Sequence, residues 1–308
     1  DVGAALRAWG GAGLVLVGGD LAEEMARTAP PRRPGVTVVS WRAMDGLFRA
    51  AVGLGADGVV ELPEGAGWLA ELLGDLGDDA PSRGFTIGVV GGSGGVGATT
   101  LACALGQMAA RPAAVVDLDP LGPGIDRVLG MEEAGGVRWA ELAHSSGRLN
   151  GRALREAMPH RDGLSALTFG VTAAAPERAT VREVLAAVRR AHDTVVVDLP
   201  RCGGEVWDEV VPRCQVVLVV VDGSVTGVAA SARVVAALPD PSRTRLVVRS
   251  GGAEADLVAR ALGVEAVAVL PHYRRVVESV DLGFGPVRSR GERMARAMRA
   301  LLAEVAVA

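Results

Sequence analysis

The 308-residue chain is long enough for two domains, and its formal net charge of −4 excludes the global basic field of a general nucleic-acid binder. Hydrophobic residues make up 49% of it, most of them Ala and Val, but no apolar run approaches the length that crosses a bilayer. The chain contains no lysine, so all 32 basic residues are arginine.

The first eighty residues carry three short apolar segments that predict buried strands, at residues 14–17, 36–39 and 58–61. Residues 43–54 lie between the last two segments and have helical spacing. Strands and a helix in this order predict a small α/β domain over residues 1–80. We expect this domain to be truncated, because the chain begins just ahead of the first strand.

Residues 54–63, which end this region, resemble the last part of a response-regulator receiver domain. The resemblance puts the phosphoacceptor aspartate where Gly18 stands and the receiver lysine where Leu62 stands. Asp20 follows the first of these positions by two residues and is the less favoured alternative for phosphorylation. The resemblance therefore implies a receiver-like domain that has lost its chemistry and serves for contacts.

Turn-forming and charged residues concentrate between residues 74 and 84 and predict a linker. The expected domains are thus residues 1–80 and 84–308. In the second region, apolar strands alternate with helical segments throughout. This order predicts an α/β fold with a mostly parallel twisted sheet and helices on both faces.

The second domain opens with a glycine-rich loop at residues 92–100, of sequence GSGGVGATT. A β-branched segment at residues 85–90 precedes it, and an Ala- and Leu-rich segment at 99–110 follows it. Strand, loop and helix in this order are typical of a phosphate-binding loop, whose backbone N–H groups and helix N-terminus surround phosphate oxygens. A flexible linker is the alternative, which this context disfavours.

The loop keeps two of the three parts of a nucleotide-binding P-loop. Its glycines let the amides turn inward, and Thr99 supplies the hydroxyl that holds Mg²⁺. Ala98 stands where the lysine that reaches the β- and γ-phosphates belongs. We therefore expect polyphosphate binding and at most weak ATPase activity, because phosphoryl transfer depends on charge stabilisation.

Acidic residues follow two later apolar strands. Asp117 and Asp119 end the strand at residues 113–116, Asp126 comes after a Pro/Gly turn, and Asp198 ends a further strand. Ligands of open parallel sheets bind at the carboxyl ends of the strands, so we expect these acids to meet the loop at one Mg²⁺-nucleotide site. For each acid taken alone, a helix cap or a solvated turn is the alternative.

Together these motifs resemble the MinD/ParA group of deviant Walker ATPases. The match lies in residues 93–100, in Asp117-x-Asp119 with Asp126, in Asp198-x-Pro200 and in residues 270–286. The Gly-Ala-Thr-Thr of the loop is typical of the CpaE/TadZ branch, the pilus-assembly and polar-localisation relatives, and the chain is similar to the actinobacterial septum-site determining members. The resemblance covers roughly residues 84 to 304 and implies a P-loop NTPase-like fold.

The resemblance also implies roles for single residues. Family members carry a signature lysine at the position of Ser93, which reaches the nucleotide of a dimer partner, and the Walker lysine at Ala98. Asp119 corresponds to the water-orienting acid, with Asp117 beside it. Thr99 and Asp198 correspond to the residues that hold Mg²⁺ and its water.

Arg249 stands after a late strand, where the family reads the base with an Asn-Arg pair, and the Asn is absent here. The resemblance thus leaves base preference open. The residues expected to contact ATP or ADP are Gly92, Ser93, Gly94, Gly95, Val96, Gly97, Ala98, Thr99, Thr100 and Arg249.

Near the C-terminus lies an apolar stripe made of Met294, Ala297, Met298, Leu301, Leu302 and Val305. The favoured interpretation is a final helix packed on the sheet; membrane contact is the less favoured alternative, and no specific nucleic-acid partner is expected. The three cysteines and four histidines have no metal-ligand spacing, so the cysteines are expected to be reduced thiols.

The first functional hypothesis is a nucleotide-binding scaffold with little or no hydrolysis that positions division, pilus or secretion machinery. Such a protein would be a cytoplasmic homodimer that protein partners recruit to the septum, the pole or the inner membrane face. The alternatives are a MinD/ParA-like ATPase that cycles between monomer and dimer, and a ParA-like DNA-partition factor. A cation that replaces Ala98 would separate scaffold from enzyme, and Arg201 is the residue to inspect.

Overall fold

A computed structural model describes residues 2–41, 46–66, 68–69, 84–143, 149–170, 175–289 and 291–307. The chain divides into two compact units, residues 1–80 and 81–308. The predicted linker at residues 74–84 lies outside the described residues except for Gly84, which immediately precedes the first strand of the second unit.

The first unit contains a three-stranded parallel sheet flanked by helices. Its elements are α1 Val2–Trp9, β1 Val15–Gly18, α2 Gly19–Arg27, β2 Val36–Ser40, α3 Leu47–Leu54 and β3 Gly58–Glu61. The strands lie in the order β1-β2-β3, and the apolar sides of α2 and α3 pack on them through Met25 and Leu54. The predicted strands form within one residue of their expected bounds, and the predicted helix is described from Leu47 onward.

The second unit is built on one eight-stranded sheet. Its strands are β4 Phe85–Gly91, β5 Ala113–Asp117, β6 His160–Arg161, β7 Leu164–Leu167, β8 Thr194–Leu199, β9 Val216–Asp222, β10 Thr244–Arg249 and β11 Ala266–Leu270. They lie in the order β11-β10-β9-β4-β8-β5-β7-β6, and every neighbouring pair is parallel except β6 and β7. The predicted, mostly parallel sheet is confirmed. Because β4 lies between β8 and β9, its carboxyl end is flanked by theirs.

Helices cover both faces of this sheet, as predicted. They are α4 Ala98–Met108, α5 Ile125–Leu129, α6 Trp139–Leu142, α7 Gly151–Ala157, α8 Arg178–Ala191, α9 Gly204–Val210, α10 Val225–Ala237, α11 Ala255–Leu262, α12 Val276–Asp281 and α13 Arg293–Val307. Alternate strand residues enter two cores, because successive side chains of a strand point to opposite faces. Val217 and Val219 pack with α8 and α10, whereas Leu218 and Val220 pack with α4 and α13.

The apolar stripe of the last helix is buried in the second of these cores. Met298 is fully buried, Met294, Leu301 and Val305 are nearly so, and α13 packs on α4 and β11. The favoured interpretation of this helix is confirmed, since the stripe is covered by the fold. Across the described ranges, no helix has both the length and the apolar character that a membrane span needs.

We predict that Met298→Ala lowers the free energy of unfolding by about 2–5 kcal/mol, because it leaves a cavity between α13 and the sheet. Arg296→Ala, on the exposed side of the same helix, is the matched control and should change the free energy by less than about 0.5 kcal/mol. Urea denaturation of the full chain measures both. Equal effects would contradict the buried packing of α13.

Candidate nucleotide-binding site

The glycine-rich loop joins the central strand β4 to helix α4, as the sequence predicts. Gly95 and Gly97 have φ values of +72° and +93°, a left-handed backbone that favours glycine, and Gly97 caps the N-terminus of α4. Helix α4 begins directly at Ala98, so its free N–H groups face the loop. This is the backbone arrangement that binds phosphate oxygens.

The start of the loop is pressed against the neighbouring strand and helix. The Gly92 N–H donates to the Val220 carbonyl of β9 over 2.8 Å, and a Cβ built on Gly92 would lie 2.0 Å from the Ser231 hydroxyl of α10. Any side chain at position 92 would push the loop away from α10. Glycine is therefore required at position 92 because Ser231 leaves no room for a side chain, and not because of the backbone φ angle.

The two positions where related loops carry lysine hold short side chains. Ala98 packs its methyl group on the core beneath α4, and Ser93 is half-buried in the turn. Neither can deliver a positive charge to a phosphate. The loop therefore offers phosphate its backbone N–H dipoles but no positively charged side chain of its own.

The structure brings Asp117 and Asp198 together beside the loop. The strands β5 and β8 are paired in parallel with these two residues in register, and the side chains are 1% and 2% exposed. The Thr99 side chain, in the first turn of α4, lies close enough to the Asp198 carboxylate to favour its ionised form. Asp198 Oδ2 is buried and has no hydrogen-bond partner within the described part of the chain.

Burial shifts the titration of both carboxyl groups. It raises the pKa of Asp198 to about 7, with a further increase from the charge of Asp117 and a smaller opposing effect of the nearby Thr99 side chain. Burial also raises the pKa of Asp117 to about 6, against hydrogen bonds that favour its ionised form. The pair is thus poised to bind a proton or a cation near neutral pH.

Asp117 is held by several donors that sequence reasoning did not identify. Its Oδ2 accepts from the Thr168 hydroxyl at 2.9 Å, and its Oδ1 accepts from the Asp119 backbone N–H at 3.1 Å. The Trp139 indole donates to the Asp117 carbonyl at 2.6 Å. Thr168 follows the end of β7, so the strand-end signal that reveals the acids could have revealed it too. No comparable signal marks Trp139.

The other two predicted acids differ in their availability. Asp119 is half-buried, and its Oδ1 accepts from the Leu121 N–H at 3.1 Å, next to the acid pair. Asp126 is buried in α5 and forms an ion pair with Arg138 at 3.3 Å. Asp119 therefore remains a candidate for orienting a water, whereas the carboxylate of Asp126 is already paired with the Arg138 guanidinium.

Two arginines flank the loop on different sides. Arg249, at the end of β10, donates from Nη1 to the Val96 carbonyl at 3.3 Å, and its Nη2 lies 3.5 Å from His272 Nδ1. Arg201 Nη1 lies 4.0 Å from where a Cβ on Gly94 would be. The sequence identified Arg201 as the residue to inspect, and the structure places it at the loop.

A basic cavity lies beyond β11 and was missed by the sequence analysis. It measures about 560 Å³, and its lining includes His272, Arg274, Arg275, Arg288 and Arg293. Glu278 and Glu292 also line it, so the positive charge is partly offset. These arginines lie between residues 274 and 293, and the fold brings the two ends of that segment together.

In the first unit, the expected phosphoacceptor position is glycine at the carboxyl end of β1. A Cβ on Gly18 would lie 2.5 Å from Asp20 Oδ1, so the Asp20 carboxylate occupies the space of the missing side chain. Leu62 directly follows β3, where the receiver lysine was expected. The loss of receiver chemistry stays a prediction.

Comparison with known proteins identifies the family. Two proteins of Mycobacterium tuberculosis strains, Uncharacterized protein Rv3660c and Uncharacterized protein MT3760, are each 34% identical to this chain over 304 residues, covering 96% of this chain and 86% of each relative. The chain belongs to the Rv3660c family. A family model described as the Rv3660c-like, CheY-like N-terminal domain matches residues 1–84, which confirms a receiver-like first domain.

Solved structures show the fold of most of this Rv3660c-family chain. A ParA family ATPase from Chlorobium tepidum has a TM-score of 0.62 at 17% identity, covering 71% of this chain and 99% of that one. A chain of the MinC:MinD cell division protein complex from Aquifex aeolicus has 0.60 at 18%, covering 72% and 96%. The septum site-determining protein MinD with Mg-ADP from Pyrococcus horikoshii has 0.58 at 20%, covering 71% and 95%. The P-loop NTPase fold of MinD/ParA type is thus confirmed.

We predict that Asp198→Asn makes the Rv3660c-family protein more stable than wild type at pH 8 but not at pH 4. The folded pKa of about 7 lies above that of an unfolded aspartate, so wild type loses stability as pH rises from about 4 to 7. Without the ionisable group, this loss disappears, which is worth roughly 3–4 kcal/mol at pH 8.

Urea denaturation without nucleotide, at several pH values, measures the difference. Asp256→Asn, an exposed acid in the first turn of α11, is the control and should not reproduce the gain at pH 8. A constant difference between Asp198→Asn and wild type from pH 4 to pH 8 would contradict the buried ionisation of Asp198.

Proposed function

We propose that this protein binds ATP or ADP with Mg²⁺ and works as a positioning scaffold that hydrolyses nucleotide slowly or not at all. One observation carries the proposal: a P-loop whose Thr99 lies beside the buried, unpartnered carboxylate oxygen of Asp198, while Ala98 fills the lysine position. The first feature preserves the parts that bind a polyphosphate. The second removes the charge that drives phosphoryl transfer.

The residues present fit a magnesium nucleotide. Asp198 keeps one buried carboxylate oxygen without a partner among the described residues, and the Thr99 hydroxyl lies against the same carboxylate. At such Mg²⁺ sites the protein supplies a hydroxyl and a carboxylate, and oxygens of the phosphates and of water supply the remaining ligands. Bound Mg²⁺ would neutralise phosphate charge, while the loop amides and the α4 N-terminus orient the phosphates.

Low turnover follows from what the loop lacks. Asp119, beside the acid pair, can orient an attacking water, and the loop can fix the phosphates in place. Positioning alone leaves the charge that develops on the transferred phosphoryl group without the lysines expected at Ser93 and Ala98. We therefore favour the scaffold over an ATPase that cycles between monomer and dimer.

The biological role that we propose rests on proteins of the same fold. The Pyrococcus horikoshii protein is a septum site-determining protein, and the Aquifex aeolicus protein is a cell division protein in complex with MinC. By this analogy we assign the chain to the CpaE/TadZ branch, near its septum-site determining members. Its partners would belong to the division, pilus or secretion machinery and would recruit a cytoplasmic protein to the septum, the pole or the inner membrane face.

The receiver-like unit is the contact surface that we assign to those partners. Trp41 and Phe48 are 74% and 68% exposed there, an unusual exposure for large aromatic side chains. Exposed aromatic residues are typical of binding surfaces, since they supply large contact area at a small cost in conformational entropy.

We predict that the wild-type protein binds Mg-ADP and Mg-ATP but turns ATP over near the background rate. Thr99→Ala should weaken Mg²⁺-dependent binding about tenfold, because it removes the hydroxyl beside Asp198. Calorimetry and a phosphate-release assay on one sample measure both properties. Thr180→Ala, a half-buried threonine in the first turn of α8, is the matched control and should bind as wild type does.

Two outcomes would count against the scaffold. No heat of binding at millimolar nucleotide, with Thr99→Ala indistinguishable from wild type, would mean that the loop holds no nucleotide. A robust rate of hydrolysis that disappears in Asp119→Ala would support the cycling ATPase instead.

We also predict that self-association is the same with ATP, with ADP and without nucleotide. In lysine-bearing relatives the signature lysine crosses to the nucleotide of the partner, whereas Ser93 is short and uncharged. Packed apolar surface must then hold a homodimer together. Sedimentation under the three conditions measures this, and a monomer that dimerises only with ATP would contradict it.

A further inference from the structure

The charge balance of the site raises a physical problem for the proposed nucleotide binding. Asp117, Asp119 and Asp198 lie at one edge of the sheet, and the loop residues themselves contribute no positive side chain. A nucleoside triphosphate brings further negative charge, of which Mg²⁺ cancels only part. Binding of the outer phosphates therefore needs a cation from outside the loop.

Arg249 lies on the side of the loop next to α4, away from where the outer phosphates would bind. Its guanidinium donates to the Val96 carbonyl and lies 3.0 Å from where a Cβ on Gly97 would be, next to the start of α4. The amides at the start of that helix are the ones that hold the inner phosphates. Arg249 is thus placed for the inner phosphates or the ribose.

Arg201 lies at the opposite half of the loop, beside Gly94, and its side chain is uncommitted. It is exposed, and no hydrogen bond or ion pair to another described residue engages its guanidinium. Its backbone, by contrast, is anchored: the buried Trp207 donates from Nε1 to the carbonyl of Pro200, the preceding residue, at 2.9 Å. An anchored backbone with an unengaged guanidinium suits an arginine that binds phosphate.

There is room for this side chain to move onto the loop. A cavity of about 460 Å³ lies next to the loop, and its lining includes Gly92, Arg201, Trp207 and Arg233. Arg201 therefore borders both the cavity and the loop. It follows the carboxyl end of β8, the strand that carries Asp198 three residues earlier in the chain.

We propose that Arg201 binds the terminal phosphate of a nucleoside triphosphate in this loop, in place of the lysines missing at Ser93 and Ala98. The proposal rests on the nucleotide binding proposed above. It leaves low turnover in place, because a contact made equally in the ground state and in the transition state tightens binding without speeding hydrolysis. It adds that the chain distinguishes triphosphate from diphosphate through an arginine located after β8. The planar guanidinium can form two parallel hydrogen bonds to phosphate oxygens, which a single ammonium group cannot.

The test is calorimetric binding of Mg-ADP and of a non-hydrolysable Mg-ATP analogue to the full chain. Wild type should bind the triphosphate analogue more tightly than the diphosphate. Arg201→Ala should lose at least tenfold in affinity for the triphosphate and change less than twofold for the diphosphate. Arg201→Lys, which keeps the charge, should recover part of the loss.

Arg233→Ala is the matched control, because Arg233 lines the same cavity in helix α10 and lies away from Gly94 in the contacts described. It should bind both nucleotides as wild type does. Thermal melting of each variant checks folding, and Arg201 is exposed, so its replacement removes no core packing.

Three results would overturn the assignment to Arg201. Unchanged triphosphate affinity in Arg201→Ala would do so, as would an equal loss for both nucleotides. So would a loss of triphosphate preference in Arg249→Ala but not in Arg201→Ala. If wild type bound neither nucleotide, the proposed function itself would fail and this inference with it.

Discussion

The site depends on one feature of the sheet, the in-register pairing of β5 with β8. This pairing sets Asp117 beside Asp198 at a buried edge, and the neighbouring strand β4 delivers the loop to the same edge. A shift of one residue in either strand would turn one carboxylate to the other face of the sheet. The register is fixed by the valines on both sides of each strand, which pack into the two cores. The hydrophobic pattern of the strands thus determines the electrostatics of the site.

Much of this arrangement could be predicted from the sequence because it depends on local patterns. The run of β-branched residues before Gly92 and the acids that close apolar strands are visible without a structure, and both receive the expected positions. Residues that matter through long-range contact could not be predicted. Ser231 approaches Gly92 from a helix 139 positions later, and nothing near it in the sequence indicates that contact. The same is true of Trp139, which supports Asp117 through a backbone carbonyl.

The arginines show a similar limit. Sequence alone could say that Ala98 and Ser93 remove charge, and it could point to Arg201 as a residue near the same edge. It could not say on which side of the loop each arginine lies. Arg249 was expected to contact the nucleotide, with base preference left open, and the structure places its guanidinium against the carbonyl of Val96 within the loop. The loop passes through Gly95 and Gly97 with a left-handed backbone, a conformation that the residue pattern alone does not specify.

The cysteines give this geometry an experimental use. Burial raises the pKa of Cys214 to about 12, and it raises the pKa of Cys103 well above the ordinary value, with the nearby aspartates adding to the effect. Because the thiolate is the reactive form, both thiols are inert toward alkylating reagents near neutral pH. Cys202 is exposed and follows Arg201 directly in the chain. A fluorophore attached there, with no cysteine removed, would sit next to the phosphate loop and report on changes in its surroundings.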